Sequence, residues 1–110
     1  MSSRNVYLSP EQRAQSTVLY RALQRAKALV ESGERDARKI IAEMQQLIAT
    51  ASEAKIDYIE IVSTKDLQPI ERLDGQVLIA LAVYFGKARL IDNIILEISG
   101  AHVREIAALP

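Results

Sequence analysis

Apolar residues in the first half of the chain recur at three- and four-residue steps, the period of an amphipathic helix. The first run follows Ser9–Pro10, and Gln12 completes a capping box at this predicted helix N-terminus. Gly33 is typical of a helix C-terminus, and a second helix is predicted to start near Arg35 or Asp36. Since the loop between them is short, we expect antiparallel neighbours. Their apolar stripes are Leu19, Ala22, Leu23, Ala26 and Val30, then Ala37, Ile40, Ile41, Met44, Leu47, Ile48 and Ala51.

The second half is rich in β-branched residues and predicts strands. Ile56–Val62 forms the first predicted strand. Val77–Phe85 is apolar at odd and even positions alike, which is typical of a central strand covered on both faces. Ala80 and Ala82 would leave room there for a closely packed element such as a helix.

A return strand is predicted from Arg89 to Ile98, after a tight turn at Gly86–Lys87 with glycine at its first central position. For Gly100–Pro110 we expect a tail with a short helix, its Val103 and Ile106 facing inward. The predicted fold is therefore α+β, with two antiparallel helices packed on a small three-stranded antiparallel sheet. We expect one domain over residues 1–98 and a tail or linker over residues 99–110.

The composition excludes several classes of partner and chemistry. A chain of 110 residues fits one domain, and 14 basic against 14 acidic side chains give no reason to expect nucleic acid or an acidic membrane as partner. The absence of cysteine excludes disulfides and thiolate chemistry. The longest apolar run, Val77–Val83, is far too short to span a membrane, and the N-terminus does not resemble a signal peptide. We therefore expect a cytoplasmic location.

Few residues of the chain suggest a catalytic or metal-binding site. The single histidine, His102, has no cysteine to share a zinc site with, and we expect it to be an exposed tail residue. Asp92–Asn93 interrupts an apolar strand. Two interpretations are open: a bulge or side chains that bond to nearby backbone, and a polar contact at the edge of a cleft. Tyr20, Tyr58 and Tyr84 lie among apolar residues, so we expect them in the core or an interface.

The N-terminal segment is the best candidate for a binding site. Ser2 and Ser3 offer two hydroxyl donors, and Arg4 offers a guanidinium that binds phosphate oxygens through two parallel bonds. These residues precede a capped helix, which suits an anion. By chemistry alone, an ordinary chain terminus remains the alternative.

Four stretches together resemble one enzyme family. They are Met1–Arg13 (M-S-S-R-N-V-Y-L-S-P-E-Q-R), Val18–Leu23, Asp57–Val62 (D-Y-I-E-I-V) and Ala80–Asn93, which ends in G-K-A-R-L-I-D-N. In this order they resemble the pantothenate synthetase (pantoate–β-alanine ligase) family over residues 1–98. The match covers the C-terminal domain of the family pattern.

The resemblance implies an ATP-dependent ligase that joins pantoate and β-alanine through a pantoyl adenylate, with magnesium and with release of pyrophosphate and AMP. In the family a Rossmann-like N-terminal domain carries an H-x-G-H motif, and the C-terminal domain covers the active site as a lid. By resemblance Met1 lies near adenine, Ser2 and Ser3 bind phosphate, and Arg4 faces the triphosphate as a catalytic cation. Asn5 matches a position without an implied role, and Arg89–Asn93 is expected to be structural.

One departure from the family pattern is large, because the H-x-G-H motif and the nucleotide fold are absent from this sequence. We therefore expect the chain to be inactive without an N-terminal domain. We also expect it to bind no metal itself and to bind ATP alone only at about millimolar concentration or above. The alternative hypothesis is an independent α+β module that binds a protein. A homodimer formed through an uncovered face or edge is a third hypothesis.

Overall fold

Two helices pack on one antiparallel sheet. The computed structural model describes residues 10–106, with side chains from residue 17 onward. The elements are α1 (Pro10–Glu31), α2 (Ala37–Ile48), β1 (Ala54–Ser63), β2 (Gly75–Phe85), β3 (Ala88–Ser99) and β4 (His102–Ile106). The α+β arrangement predicted from the sequence is confirmed.

The two helices form the predicted hairpin. Gly33, at φ +111°, lies just past the end of α1 and allows the chain to reverse. The carboxylate of Asp36 caps α2 by accepting a hydrogen bond from the backbone N–H of Arg38 at 2.9 Å. Arg25 of α1 binds Glu43 of α2 at 2.9 Å, as expected for antiparallel neighbours. Both predicted apolar stripes face the sheet or the partner helix.

The sheet has four strands in the order β1-β2-β3-β4, one more than the sequence predicted. Instead of a helical tail, His102–Ile106 pairs antiparallel with β3 and belongs to the sheet. The signal for this hairpin is Gly100, which has φ +60° at the first position of a two-residue turn. Gly86, at φ +63°, has the same role in the turn that was predicted correctly.

The two faces of β2 have different surroundings. The odd-numbered side faces the helices, and its five apolar residues are fully buried in the main core. They are Val77, Ile79, Leu81, Val83 and Phe85. No helix among residues 10–106 covers the even-numbered side, so the expectation of cover on both faces is wrong for this part of the chain. Ala82 is nevertheless buried there, because its cross-strand neighbours are the larger Tyr58 and Ile91.

Candidate functional site

The predicted phosphate-binding residues, Met1, Ser2, Ser3 and Arg4, lie outside the described residues. The structure shows instead where the helix that follows them begins. That helix starts at Pro10, immediately after the serine that the sequence identifies as its N-cap.

The direction of α1 along the sheet follows from contacts near its C-terminal end. Lys27 binds Glu105 of β4 at 3.2 Å, and Arg35, just past the helix, donates a hydrogen bond to the Gly100 carbonyl in the β3–β4 turn at 3.0 Å. The 22 residues of α1 span about 33 Å at the usual rise, a length comparable with that of β3. The start of α1 therefore lies at the opposite end of the sheet, where Gly86–Lys87 turns the chain. We call this end of the domain the hairpin end.

Three side chains form a row across the open face at the hairpin end. Tyr84 of β2 pairs in register with Lys55 of β1 on one side and with Arg89 of β3 on the other. Beside this row is an open depression of about 430 Å³, lined by Glu53, Lys55, Tyr84 and Gly86. A cation thus lies on each side of a half-exposed tyrosine ring, at the same end of the domain as the start of α1.

Arg89 is held in place by an acid and two aromatic rings. Its Nε and Nη2 both donate to Asp57 Oδ2, at 2.9 and 2.8 Å, and the guanidinium carbon lies 5.9 Å from the Tyr58 ring centre and 6.0 Å from that of Tyr84. The hydrogen bond to Asp57 raises the pKa of Arg89 above its ordinary value. Asp57 occupies an irregularity in the β1–β2 register, where β1 has one extra residue.

This contact joins β1 to β3 across β2, so Arg89 has a structural role in the described part of the chain. The sequence shows both residues but not their proximity. They are separated by 32 positions along the chain and meet only through the pairing of three strands. The local signal for this contact would have been a β-bulge at Asp57, but no residue in Lys55–Ile59 is typical of a bulge.

For Asp92–Asn93, the sequence left two interpretations open. In the structure the backbone N–H of Asn93 donates to Asp92 Oδ1 at 2.8 Å, and both residues are half-buried. The side chain of Asp92 therefore bonds to nearby backbone, which was the first of the two interpretations.

The remaining candidates do not assemble a site within residues 17–106. His102 is exposed, as expected, although it lies in β4. Tyr20 is 62% exposed and Tyr84 38%, so neither is a core residue. No three acidic or histidine side chains in this part of the chain come together as a metal site. Neither α1 nor α2 contains the length of apolar sequence that a membrane-spanning helix requires.

Comparison with known proteins gives one consistent result. The sequence model of the family described as pantoate-beta-alanine ligase matches residues 1–95. The pantothenate synthetase of Geobacillus sp. (strain WCH70) is 55% identical over 97 residues, which cover 88% of this chain and 34% of that protein. That of Caldicellulosiruptor bescii is 54% identical over 97 residues, with the same coverage of each. The chain thus spans about a third of the length of these curated relatives.

The fold has a counterpart among solved structures. The pantothenate synthetase of Thermus thermophilus superimposes with a TM-score of 0.79 and 35% sequence identity. The aligned part covers 84% of this chain and 33% of that one. Sequence and structure therefore indicate the same portion of the same kind of protein.

Proposed function

Because the chain belongs to the pantoate–β-alanine ligase family, we propose that it serves as the C-terminal domain of a ligase that makes pantothenate from pantoate and β-alanine at the expense of ATP. The observation that carries the proposal is the family match over residues 1–95, which includes Met1–Arg4 at its start. The activity belongs to the whole ligase, of which this chain corresponds to about a third.

The proposed reaction has two steps. The pantoate carboxylate attacks the α-phosphorus of ATP, which forms a pantoyl adenylate and releases pyrophosphate. The amine of β-alanine then attacks the acyl carbon, loses a proton and displaces AMP. Charge builds up on the phosphate oxygens during the first step, so a positioned cation lowers its barrier.

Within this scheme the N-terminal residues bind the nucleotide. We assign the hydroxyls of Ser2 and Ser3 to donate hydrogen bonds to phosphate oxygens, and the Met1 backbone to lie near adenine. Arg4 would donate two parallel bonds to the triphosphate and stabilise the departing pyrophosphate. Magnesium would arrive with ATP, and residues 17–106 contribute no metal-binding cluster to the scheme.

The partner in this proposal is the N-terminal domain of the same ligase. That domain would bind pantoate and β-alanine, and the present chain would cover the site as a lid. Since α1 follows Met1–Arg4 and begins at the hairpin end, this end is the one we expect to face the partner. Without the partner, the phosphate-binding residues lose the preorganised surroundings on which affinity and rate depend.

The experiment is a complementation assay. AMP release from pantoate, β-alanine and Mg-ATP is measured with this chain alone, and again after adding the separately produced N-terminal two-thirds of the Geobacillus relative. We expect no activity from the chain alone and activity from the mixture. Activity of the chain alone would contradict the proposed division of labour between the domains.

A second assay measures ATP binding directly. Backbone amide shifts of the isolated chain are followed as ATP is added, and saturation is expected only at about millimolar concentration or above. Binding in the micromolar range would show that the chain contains a complete nucleotide site by itself. If neither the chain alone nor the mixture releases AMP, the ATP titration should be repeated on a single-chain chimera. That chimera joins this chain to the N-terminal two-thirds of the Geobacillus relative.

A further inference from the structure

Within residues 10–106, a strand covers only half of the outer edge of β3. β4 pairs with Ile95–Ser99, while Ala88–Ile94 pairs with β2 alone. No other strand among residues 10–106 lies along this first half of β3. Unpaired strand edges are sites where another chain can add a strand.

The strand register shows which backbone groups face this edge. Phe85 and Ala88 close a two-residue turn and therefore exchange backbone hydrogen bonds. From this pair onward, even-numbered residues of β3 direct their N–H and C=O groups toward β2, and odd-numbered residues direct theirs away. Ser99, also odd-numbered, pairs with His102 across the next turn, which agrees with this alternation. The backbone N–H and C=O groups of Arg89, Ile91 and Asn93 thus face the uncovered edge.

One of these edge groups already has a partner. The N–H of Asn93 donates to Asp92 Oδ1 at 2.8 Å. The carboxylate oxygen stands along the N–H direction, where the carbonyl oxygen of an added strand would have to accept. Strand addition would therefore displace this bond and remove a carboxylate from water, and both changes are unfavourable.

We propose that Asp92 blocks addition of a second copy of this chain to the uncovered half of β3. The centre of this edge offers an apolar side chain to such pairing, since Ile91 is 44% exposed. In a two-fold antiparallel arrangement centred on Ile91, the Asn93 N–H of one copy would donate to the Arg89 carbonyl of the other. The Asn93 N–H, which Asp92 accepts from, is thus one of the donors that would hold such a dimer together. The proposal does not depend on the function proposed above.

The test compares association constants by sedimentation equilibrium. The wild-type chain is expected to be monomeric at about 100 μM, and Asp92→Ala to associate at least about tenfold more tightly. Glu97→Ala is the matched control, because Glu97 is also a β3 carboxylate but lies in the half paired with β4. It should associate no more tightly than the wild type.

A second variant identifies the edge. Adding Asn93→Pro to Asp92→Ala removes the N–H and places a ring at the edge, where proline is tolerated in strands. The double variant should return to a monomer. Association of the double variant as tight as that of Asp92→Ala would overturn the proposal, and so would a folded Asp92→Ala variant that is as monomeric as the wild type.

A third measurement uses the wild-type chain alone and is independent of whether the variants fold. Amide hydrogen exchange should be slower at Asn93, whose N–H is bonded to Asp92, than at Ile91. Equal exchange rates at the two amides would contradict the contact on which the proposal rests. A wild-type dimer with a protected Ile91 amide would show that Asp92 does not block the edge.

Discussion

The two faces of the sheet differ in what lies against them. On the helix-facing side, β2 presents five apolar residues that are fully buried beneath α1 and α2. On the open face, charged side chains lie in the neighbouring strands, and β2 itself presents Gln76, Leu78, Ala80, Ala82 and Tyr84. The comparison teaches that the helix-facing side of the sheet carries most of the stability of the described residues.

The largest expected difference between the faces comes from two isoleucines. Ile79→Ala removes a fully buried side chain beneath the helices and should lower the free energy of unfolding by about 2–5 kcal/mol. Ile91→Ala on the open face should cost about 1 kcal/mol or less, because that side chain is already 44% exposed. Urea unfolding of both variants measures the two values. Equal losses would mean that the open face is covered in solution.

Two buried alanines sharpen the comparison. Ala26 of α1 and Ala82 of β2 are both fully buried, but only Ala26 belongs to the core between helices and sheet. Ala26→Leu should therefore destabilise by about 1–3 kcal/mol through overpacking. For Ala82→Leu we expect about 1 kcal/mol or less, because Tyr58 and Ile91, which cover Ala82, are themselves partly exposed and can move toward solvent. A larger loss for Ala82→Leu than for Ala26→Leu, measured by the same method, would reverse the assignment of the faces.

The smallest effect is expected at the exposed ion pairs. Asp57→Asn removes the negative charge that pairs with Arg89. It should lower the melting temperature slightly, and this difference should disappear at about 1 M salt. Glu43→Gln, which removes the Arg25 ion pair between the helices, is the control and should change the melting temperature less. Arg89 donates two bonds and contacts two rings, whereas Arg25 donates one. A salt-independent loss for Asp57→Asn would indicate a packing role for this side chain.

Local patterns predicted most of the fold, because each helix and the first three strands have a periodicity of their own. Ser9–Pro10 and Gly33 mark the ends of α1, and the glycine turn at Gly86–Lys87 marks the hairpin. β4 was missed because Val103 and Ile106 are three positions apart, a helical spacing, and because a five-residue edge strand contains few apolar residues.

The candidate site was predictable only in part. The anion-binding residue types in Ser2–Arg4 and the family resemblance are properties of the sequence itself, and the family assignment is confirmed. The Arg89–Asp57 contact depends on register across three strands and on a bulge, which no local pattern encodes. The edge bond of Asp92 was foreseen as one of two interpretations, but its location on an uncovered strand edge required the topology.

The most direct test of the central claim, that this chain supplies the phosphate-binding residues of a ligase completed by another domain, is the Arg4→Ala variant in the complementation assay. Arg104→Ala is its control, because Arg104 is an exposed arginine of β4 whose ion-pair partner among residues 17–106 is Glu97. Rescued AMP release should fall about 100-fold or more with Arg4→Ala and stay at the wild-type rate with Arg104→Ala, while neither variant changes the melting temperature much. A wild-type rate of rescue with Arg4→Ala would contradict the account.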